Sequence, residues 1–239
     1  MIIPVLNEAE NIGLVISTIQ RAENIEIIIV DGGSQDNTVQ IAQGLGVKVI
    51  VTNRGRALQM NAGAKIATGE ILLFLHGDTQ LPLGFETEVR ETFVNSNIIA
   101  GAFQLKINGD QLSLRLIETT VFWRSKYLQM PYGDQAIFIK ATTFGEIGGF
   151  PEQPIMEDFE FIRRLNHLGK IEILSSAVIT SGRRWQKVGV FKTTLINQLI
   201  VIGYYLGISP TKLAQWYRKK GIGNRELRIT NYELRMGYG

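Results

Sequence analysis

The chain of 239 residues carries a formal net charge of +3, with a pI near 9.1, and 45% of its residues are hydrophobic. This length accommodates one large α/β domain or a domain with a small appendage, and the mild basicity suits an anionic ligand or a membrane surface but is too weak to indicate nucleic acid. The absence of cysteine excludes disulfides, thiolate zinc sites and cysteine nucleophiles, and a total of two histidines excludes a histidine-rich metal site.

Strand and helix patterns alternate through the first half of the chain. Apolar runs and helical spacing predict strands at 1–6, 26–30, 47–51 and 71–75, separated by helices at 11–21, 38–43 and 56–67. This order is typical of a doubly wound α/β fold, with a mostly parallel sheet and helices on both faces. No G-x-G-x-x-G motif follows the first strand, which argues against a dinucleotide site.

The pattern changes after Asp78. The sequence predicts a helix at 85–94, a strand at 99–105, a long helix at 112–127, a short strand at 136–140 and a helix at 157–168. This mixture indicates that antiparallel strands join the sheet in the second half of the chain.

Residues 190–206 are strongly apolar but are interrupted by Lys192, Asn197 and Gln198. The segment is shorter than a comfortable bilayer span of about 20 residues, so we expect either a packing helix, as in a homodimer, or a helix in peripheral contact with a membrane. No secretory signal begins the chain, and we therefore expect a cytoplasmic protein, at the inner face of the membrane if the helix touches lipid. The first strand begins abruptly at Met1, a pattern expected of a clipped start.

Two carboxylates follow buried strands. Asp31 precedes two glycines, and Asp78 ends a run that includes His76. Because the carboxyl ends of parallel strands meet at one crevice, both acids are expected there. Asp31 suits hydrogen bonds from a base or a ribose, whereas Asp78, with His76 beside it, suits Mg²⁺ or Mn²⁺ on a diphosphate. The alternatives are ordinary turn acids and a packed histidine.

Glu157 and Asp158 open a predicted helix, and Asp158 lies on its apolar stripe together with Ile162 and Leu165. Acids in a first helical turn are usually explained by the helix dipole. The apolar surroundings favour a second interpretation, in which a partly buried carboxylate with a raised pKa acts as a general base towards a hydroxyl.

Two small basic groups lie outside the apolar elements. They contain Arg54 with Arg56, and Arg183 with Arg184. Guanidinium groups suit phosphates and a departing diphosphate, although each arginine taken individually is better explained as a solvated surface charge. Trp185, next to the second pair, could stack on a sugar or pack in the interior.

Together these residues resemble the inverting family 2 glycosyltransferases of the GT-A fold. Four blocks carry the resemblance: Ile3-Pro-Val-Leu-Asn-Glu8 with Asn11, Val30-Asp-Gly-Gly-Ser-Gln-Asp36-Asn-Thr, Asn53-Arg-Gly-Arg56-Ala-Leu-Gln-Met-Asn61-x-Gly63, and Leu73-Phe-Leu-His-Gly-Asp78. Gly133-Asp134-Gln135, Gly148-Gly149-Phe150 and Met156-Glu-Asp158 follow in the order of the acceptor-side pattern. The resemblance covers about residues 1–185. Within the family, the chain looks most similar to a bacterial subgroup found with radical-SAM or arsenosugar-type gene clusters. Three motifs carry this finer resemblance: Arg-Ala-x-Gln-Met-Asn, His-x-Asp-Thr and Ser-x-Arg-Arg-Trp.

The resemblance implies a GT-A domain at 1–185, with a nucleotide-binding half at 1–105 and an acceptor-side half at 106–185, followed by a C-terminal helical extension and tail at 186–239. It implies a role for each of the following residues: Pro4, Asn7, Glu8, Asp31, Arg56, Asn61 and His76 at the nucleotide donor, Asp78 at the metal, Asp134, Gln135, Arg183, Arg184 and Trp185 at the acceptor or diphosphate, and Asp158 with Glu157 at the catalytic base.

The implied reaction is hexosyl or other glycosyl transfer from a nucleoside-diphosphate sugar to an acceptor hydroxyl, with inversion and with Mn²⁺ or Mg²⁺ as cofactor. A UDP-sugar is favoured by its frequency in the family, although Asp31 could also pair with guanine. This chain departs from the family at His76, which replaces the first carboxylate of the Asp-x-Asp motif and weakens the expectation of a metal. The alternatives are a non-catalytic nucleotide-sugar-binding relative and a sugar nucleotidylyltransferase, but the acidic segment at 7–11 does not suit a triphosphate loop.

Overall fold

Short buried strands, each followed by a helix, build the first half of the molecule. The computed structural model describes residues 1–220, without the side chains at positions 184, 186 and 187. The elements of this half are β1 (Ile2–Val5), α1 (Ala9–Ile19), β2 (Ile28–Asp31), α2 (Thr38–Gly44), β3 (Lys48–Val51), α3 (Arg56–Ile66) and β4 (Ile71–Leu73). The predicted tail lies outside the described residues from position 221 onward.

The second half mixes strand directions and ends in helices. Its elements are β5 (Thr79–Gln80), α4 (Phe85–Thr92), β6 (Ile98–Ile107), α5 (Leu112–Leu128), a 3-10 turn (Gly133–Gln135), β7 (Phe138–Lys140), α6 (Ala141–Glu146), α7 (Glu157–Leu165), β8 (Lys170–Thr180), α8 (Arg183–Val188), α9 (Val190–Tyr205) and α10 (Pro210–Lys219). Three helices therefore follow β8, which confirms the predicted helical extension within the described part of the chain.

The strands form a mostly parallel arrangement, as predicted. Strands β1, β2 and β3 pair in parallel, and a second group pairs in the order β4-β7-β6-β8-β5. The two groups meet where Ile2 of β1 forms a parallel bridge with Phe74, and Leu75 N donates to Ile2 O at 3.0 Å. Strand β7 is antiparallel to β4 and β6, and β5 is antiparallel to β8.

Helix α3 packs very closely on β1 and β2. A Cβ atom at Gly63 would lie 2.5 Å from Ile2 and 2.9 Å from Val30, distances that real contacts do not reach. Glycine therefore brings the helix backbone close to the strands whose carboxyl ends form the crevice.

An aromatic cluster joins α7 to the segment that precedes it and to the end of β4. The rings of Phe150 and Phe161 stack with centroids 4.1 Å apart, and Phe74 meets Phe150 edge to face at 4.9 Å. Such pairs add about 0.5–1.5 kcal/mol each to their area burial. The cluster anchors the start of α7, where Glu157 and Asp158 lie, to the strand that precedes His76 and Asp78.

The chain divides into two compact units. The first contains Met1–Glu152 and Met156–Ser181, and the second contains Gln153–Ile155 and the chain from Gly182 onward. Within the second unit, α9 contacts α8 and α10. Among residues 1–220, no helix combines the length and the apolar character needed to cross a bilayer.

The sequence does not predict β8, although it is the longest strand described. Two register irregularities in its pairing with β6, together with Ser175 and Ser176, interrupt the apolar alternation by which a strand is recognised. Helices α6, α8 and α10 and the two-residue strand β5 are also absent from the prediction. The first two of these helices have six residues each, too few to give a helical period.

Candidate active site

Asp31 holds the loop after β2. Its side chain is buried, with 2% exposure, and Oδ2 accepts hydrogen bonds from the N–H groups of Gly33 and Ser34, both at 2.9 Å. Oδ1 accepts a hydrogen bond from the Ser34 hydroxyl. Asn7 N donates to Ser34 Oγ at 2.9 Å, which ties the loop after β1 to the loop after β2. The two loops therefore form one hydrogen-bonded edge.

Gln59 of α3 binds the strands beneath this edge, and it was not identified from the sequence as a candidate site residue. Its side-chain amide donates to Val5 O at 2.9 Å and to Val30 O at 2.7 Å, near the carboxyl ends of two parallel strands. Gly32 lies directly above it, since a Cβ there would approach the Gln59 carboxamide to 3.0 Å. The only signal in the sequence was the position of Gln59 inside the Arg-Ala-x-Gln-Met-Asn block.

The other residues assigned to the donor lie on the same elements. Pro4 is in β1, opposite Val30 in the register. Glu8 Oε2 accepts from Asn11 Nδ2 at 2.7 Å, and Asn7 Oδ1 accepts from Gln35 N at 2.7 Å. Asn7 itself has a φ of +53°, a strained conformation of the kind that often occurs at ligand-binding loops.

Asn61 has a different environment. Its side-chain amide pairs with both backbone groups of Phe150, donating to the carbonyl at 2.8 Å and accepting from the N–H at 2.9 Å. Asn61 therefore links α3 to the segment after α6, and these two bonds account for its position.

Asp158 and His76 converge on Gly133. The Gly133 N–H donates to Asp158 Oδ2 at 2.8 Å, and Asp158 Oδ1 accepts from Phe159 N at 2.8 Å. A Cβ at Gly133 would lie 3.2 Å from Asp158 Oδ2 and 3.2 Å from His76 Nε2. The side chains of Asp158 and His76 therefore both lie close to Gly133. Asp158 was singled out from the helix pattern and His76 from the strand pattern.

Arg56 joins the two predicted halves of the fold through an ion pair with Glu157. The Glu157 carboxylate is 2% exposed, whereas the Arg56 side chain is 40% exposed. Burial raises the pKa of Glu157, against the opposing effect of Arg56. Both acids are at the start of α7, where the helix dipole also favours negative charge.

The pKa of Asp158 moves in the direction opposite to the one predicted. Burial alone would raise it, but the Arg56 charge, the N–H groups of Gly133 and Phe159 and the His76 charge together outweigh burial and hold the pKa of Asp158 below its ordinary value of 3.8. The expected raised pKa is therefore wrong for Asp158. Asp158 is an ionised carboxylate at neutral pH, the state in which it can accept a proton.

Asp78 follows β4 by a few residues, and its carbonyl accepts from Ser181 N at 3.2 Å. Within residues 1–220, no three carboxylate or imidazole side chains come together as a ready-made metal site. Asp78 offers a hard carboxylate oxygen as a metal ligand, and His76, two residues earlier, offers a borderline imidazole nitrogen. This set fits Mg²⁺ or Mn²⁺ in the manner usual for nucleotide sites, where one or two protein ligands are completed by phosphate oxygens and water.

Gln135 is fully buried and satisfied inside the protein. Its carbonyl oxygen accepts from Ser125 Oγ at 2.8 Å and from Arg124 Nη2 at 3.1 Å, and its amide donates to Phe103 O at 2.9 Å. These bonds hold the 3-10 turn that presents Gly133 to Asp158. Asp134 lies in the same turn and is partly buried.

The remaining assigned residues belong to the second compact unit. Arg183, Arg184 and Trp185 open α8. Arg183 is exposed and Trp185 is 9% exposed, while the side chain of Arg184 lies outside the described part of the structure. Within the first unit the structure brings Asp158 and His76 together at Gly133 and pairs Arg56 with Glu157. The roles of all the assigned residues stay a prediction.

Residues 1–149 match the family described as Glycosyl transferase family 2. Among curated proteins, nothing matches. Solved structures similar to this chain include a mannosyltransferase, PcManGT, from Pyrobaculum calidifontis in complex with GDP-Man and Mn²⁺, with a TM-score of 0.64, 17% identity, and coverage of 90% of this chain and 68% of that one. S. aureus TarS 1–349 in complex with UDP has a TM-score of 0.60, 18% identity, and coverage of 80% and 62%.

Glucosyl-3-phosphoglycerate synthase from Mycobacterium tuberculosis, in complex with Mn²⁺, UDP and glucosyl-3-phosphoglycerate, has a TM-score of 0.58, 18% identity, and coverage of 81% and 77%. The chain therefore spans 62% of TarS 1–349 and 68% of the mannosyltransferase. At these identities the likenesses establish the fold, which is the predicted GT-A fold.

Proposed function

Because the chain belongs to glycosyl transferase family 2, we propose that it transfers a sugar, with inversion, from a nucleoside-diphosphate donor to an acceptor hydroxyl. The observation that carries the proposal is the environment of Asp158. This carboxylate is ionised and partly buried, it is held by the Gly133 N–H at 2.8 Å, and it lies beside His76 at the end of the segment that carries Asp78. The residues proposed as base, metal ligand and donor loop all belong to the first compact unit, which supports the proposal.

In the proposed step, Asp158 accepts the proton of the acceptor O–H. The acceptor oxygen forms a bond to the anomeric carbon of the sugar as the bond from that carbon to the diphosphate oxygen breaks, and the electron pair leaves with the nucleoside diphosphate. Attack on the face opposite the leaving group inverts the anomeric centre. The two backbone N–H groups that bind Asp158 fix the direction of its free lone pairs, which is the positioning that such a base requires.

Glu157 and Arg56 support this base. Their ion pair places a positive charge beside Asp158 and so favours its ionised form before the acceptor binds. The Arg56 side chain is 40% exposed, so its guanidinium group is accessible to a phosphate as well as to Glu157. We assign Glu157 a positioning role and Asp158 the proton transfer.

The donor is proposed to bind along the edge formed by the loops after β1 and β2, with Asp31 towards the base and Pro4, Asn7 and Glu8 around the nucleotide. Asn61, whose side-chain amide pairs with Phe150, is proposed to flank the nucleotide through its position on α3. Asp78, with His76 beside it, would hold Mn²⁺ or Mg²⁺, which when bound neutralises charge on the diphosphate. Arg183, Arg184 and Trp185 are proposed on the acceptor or diphosphate side, with Asp134 near the acceptor and Gln135 as the residue that positions its turn.

The structural neighbours support a nucleotide-sugar donor without selecting the base. One was solved with GDP-Man, and another with UDP. We favour a UDP-sugar on the frequency of UDP donors in the family.

We further propose that the GT-A domain spans 1–185, that the extension spans 186–239, and that the protein is cytoplasmic. We also propose that it belongs to the bacterial radical-SAM-associated subgroup, a proposal that the Arg-Ala-x-Gln-Met-Asn and His-x-Asp-Thr motifs support.

The test is release of nucleoside diphosphate from a panel of UDP- and GDP-sugars, followed for the wild type and for Asp158→Asn. Slow acceptor-independent hydrolysis by the wild type, lost in the variant although the donor still binds, supports the proposed reaction. Donor binding without release in either protein, even when hydroxyl acceptors are supplied, would instead identify a non-catalytic binding relative. Consumption of a sugar 1-phosphate and a nucleoside triphosphate would identify a nucleotidylyltransferase.

A further inference from the structure

Helix α9 exposes an apolar stripe on one side while burying the other. Its buried positions are Thr193, Ile196, Ile200 and Gly203. Exposed apolar residues of α9 and the leucine that directly follows it, here called the α9 stripe, have a helical spacing of three and four residues: Phe191, Leu195, Leu199, Ile202 and Leu206. Phe191 is 84% exposed and Leu195 is 61% exposed, and Gln198 is a polar interruption.

The α9 stripe belongs to a segment whose charged residues are all basic. Between Gly182 and Lys220 the chain has eight lysines and arginines and no aspartate or glutamate. In residues 1–181 the balance is reversed, with fourteen basic and twenty acidic residues. The modest net charge of the whole chain therefore conceals a strongly basic second unit, and a basic segment beside an apolar helix face is typical of a surface that binds anionic lipid.

Aromatic residues extend this character. Tyr205 lies at the end of α9 and is 68% exposed, and α10 carries Trp216 and Tyr217 followed by Arg218, Lys219 and Lys220. The Lys220 ammonium lies 5.7 Å from the Trp216 ring centroid. Aromatic and basic side chains of this kind prefer the boundary between headgroups and acyl chains.

We propose that the α9 stripe, with Lys192 and the basic residues of positions 212–220, docks the protein on a bilayer that contains anionic phospholipids. Helix α9 lies in the plane of the interface, with Phe191 and Leu195 among the acyl chains and the lysines and arginines at the phosphates. The charge of the second unit argues against a second copy of the chain as the partner of the stripe. Two such basic units would bring like charges together at a self-complementary interface.

The experiment is co-sedimentation of the full chain with vesicles of phosphatidylcholine alone and of phosphatidylcholine mixed with phosphatidylglycerol. We expect binding to the anionic vesicles, weak binding to the neutral ones, and a decrease as salt rises. Phe191→Ser with Leu195→Ser should reduce binding by roughly 10-fold or more, since both changes remove exposed apolar surface that would become buried in the bilayer.

A matched control is available in Val94→Ser with Leu168→Ser, which removes apolar side chains of 85% and 57% exposure from the first unit. This control should bind as the wild type does. Lys219→Glu with Lys220→Glu, which leaves the stripe intact, should lower binding to anionic vesicles by roughly 10-fold. Far-ultraviolet circular dichroism checks that each variant is folded.

Equal binding by the stripe variant, the charge variant and the control would overturn the proposal. So would the absence of vesicle binding combined with self-association that the stripe variant abolishes, because the stripe would then be an interface between copies. Vesicle binding needs neither donor nor acceptor, and Asp158→Asn should bind as the wild type does. Failure of the docking surface is thus distinguishable from failure of the proposed reaction.

Discussion

Asp158 and His76 approach the same point, the α-carbon of Gly133, although they come from a helix and a strand end that are far apart in the sequence. A Cβ at residue 133 would lie 3.2 Å from Asp158 Oδ2 and from His76 Nε2. The absence of a side chain there lets the Gly133 N–H reach the carboxylate while keeping the imidazole close. The arrangement explains why a glycine precedes Asp134 and Gln135 at this turn.

Gly133→Ala should lower kcat by roughly 10-fold while leaving the KM for the donor little changed. The added methyl group displaces Asp158 or His76 by a few tenths of an ångström, and misplacement by 1 Å can cost about 100-fold. Steady-state kinetics checks this. The matched control is Gly145→Ala in α6, where a Cβ meets nothing within 4 Å, and which should keep wild-type kinetics. A normal kcat for Gly133→Ala would show that the approach of the two side chains does not matter.

Asp158→Asn should reduce kcat by about 10²–10⁴-fold, because the amide cannot accept the acceptor proton. Donor binding, measured by calorimetry, should survive, since the amide oxygen can still accept one of the two backbone N–H hydrogen bonds that residue 158 receives. Loss of donor binding together with activity would remove Asp158 from the role of base and make it a structural residue.

The activity should not show an acid limb between pH 5 and pH 8 that is due to Asp158. The carboxylate stays ionised because its pKa lies below 3.8, a shift to which Arg56 contributes. Arg56→Met removes that charge, so the pKa of Asp158 should rise and the acid limb of kcat/KM should move to higher pH. An acid limb in the same place for wild type and variant would contradict this electrostatic coupling.

Arg56→Met should also destabilise the fold by about 1–3 kcal/mol, because it leaves the buried Glu157 carboxylate without its cation. Glu157→Gln in the same chain should recover part of the loss, since the neutral amide needs no counter-charge. Urea unfolding of the two single variants and the double variant measures the coupling. Strict additivity of the single effects would show that the ion pair contributes nothing to stability.

The apolar runs made the parallel core predictable. Strand β2 and Asp31, for example, could be recognised because the chain changes from isoleucine and valine to Asp-Gly-Gly at the point where the strand ends. Strand β8 could not, because its pairing with β6 shifts register twice and its apolar pattern is broken accordingly. Local pattern thus succeeds where a strand is regular and fails where bulges adapt it to its neighbour.

The sequence pattern indicated the burial and position of the candidate residues better than it indicated their electrostatics. Helix periodicity placed Asp158 on a partly buried face, and the strand end placed His76 and Asp78 near a crevice. The direction of the pKa shift at Asp158 depends on Arg56, whose ion-pair partner Glu157 is 101 residues away in the sequence, and on the N–H of Gly133. Such contacts between distant segments leave no mark in local periodicity, which is why burial alone suggested the wrong direction.

Asp78→Asn should remove the metal-dependent part of nucleotide binding. The neutral amide is a weaker ligand for Mg²⁺ or Mn²⁺, so UDP should stabilise the variant equally with and without metal. Asp110→Asn, an exposed aspartate between β6 and α5, serves as the control and should respond to metal as the wild type does. Retention of the full Mn²⁺ effect in Asp78→Asn would exclude Asp78 as the metal ligand.

The most direct test of the account is the thermal stability of the wild-type chain in the presence of UDP, GDP and other nucleoside diphosphates, each with and without Mn²⁺. A ligand at about 100 times its dissociation constant stabilises the folded state by about 2.7 kcal/mol. We expect a metal-dependent rise in Tm with one nucleoside diphosphate, and we favour UDP as that ligand. No rise with any nucleoside diphosphate, in the presence or absence of Mn²⁺, would contradict the assignment of this site to a nucleotide-sugar donor.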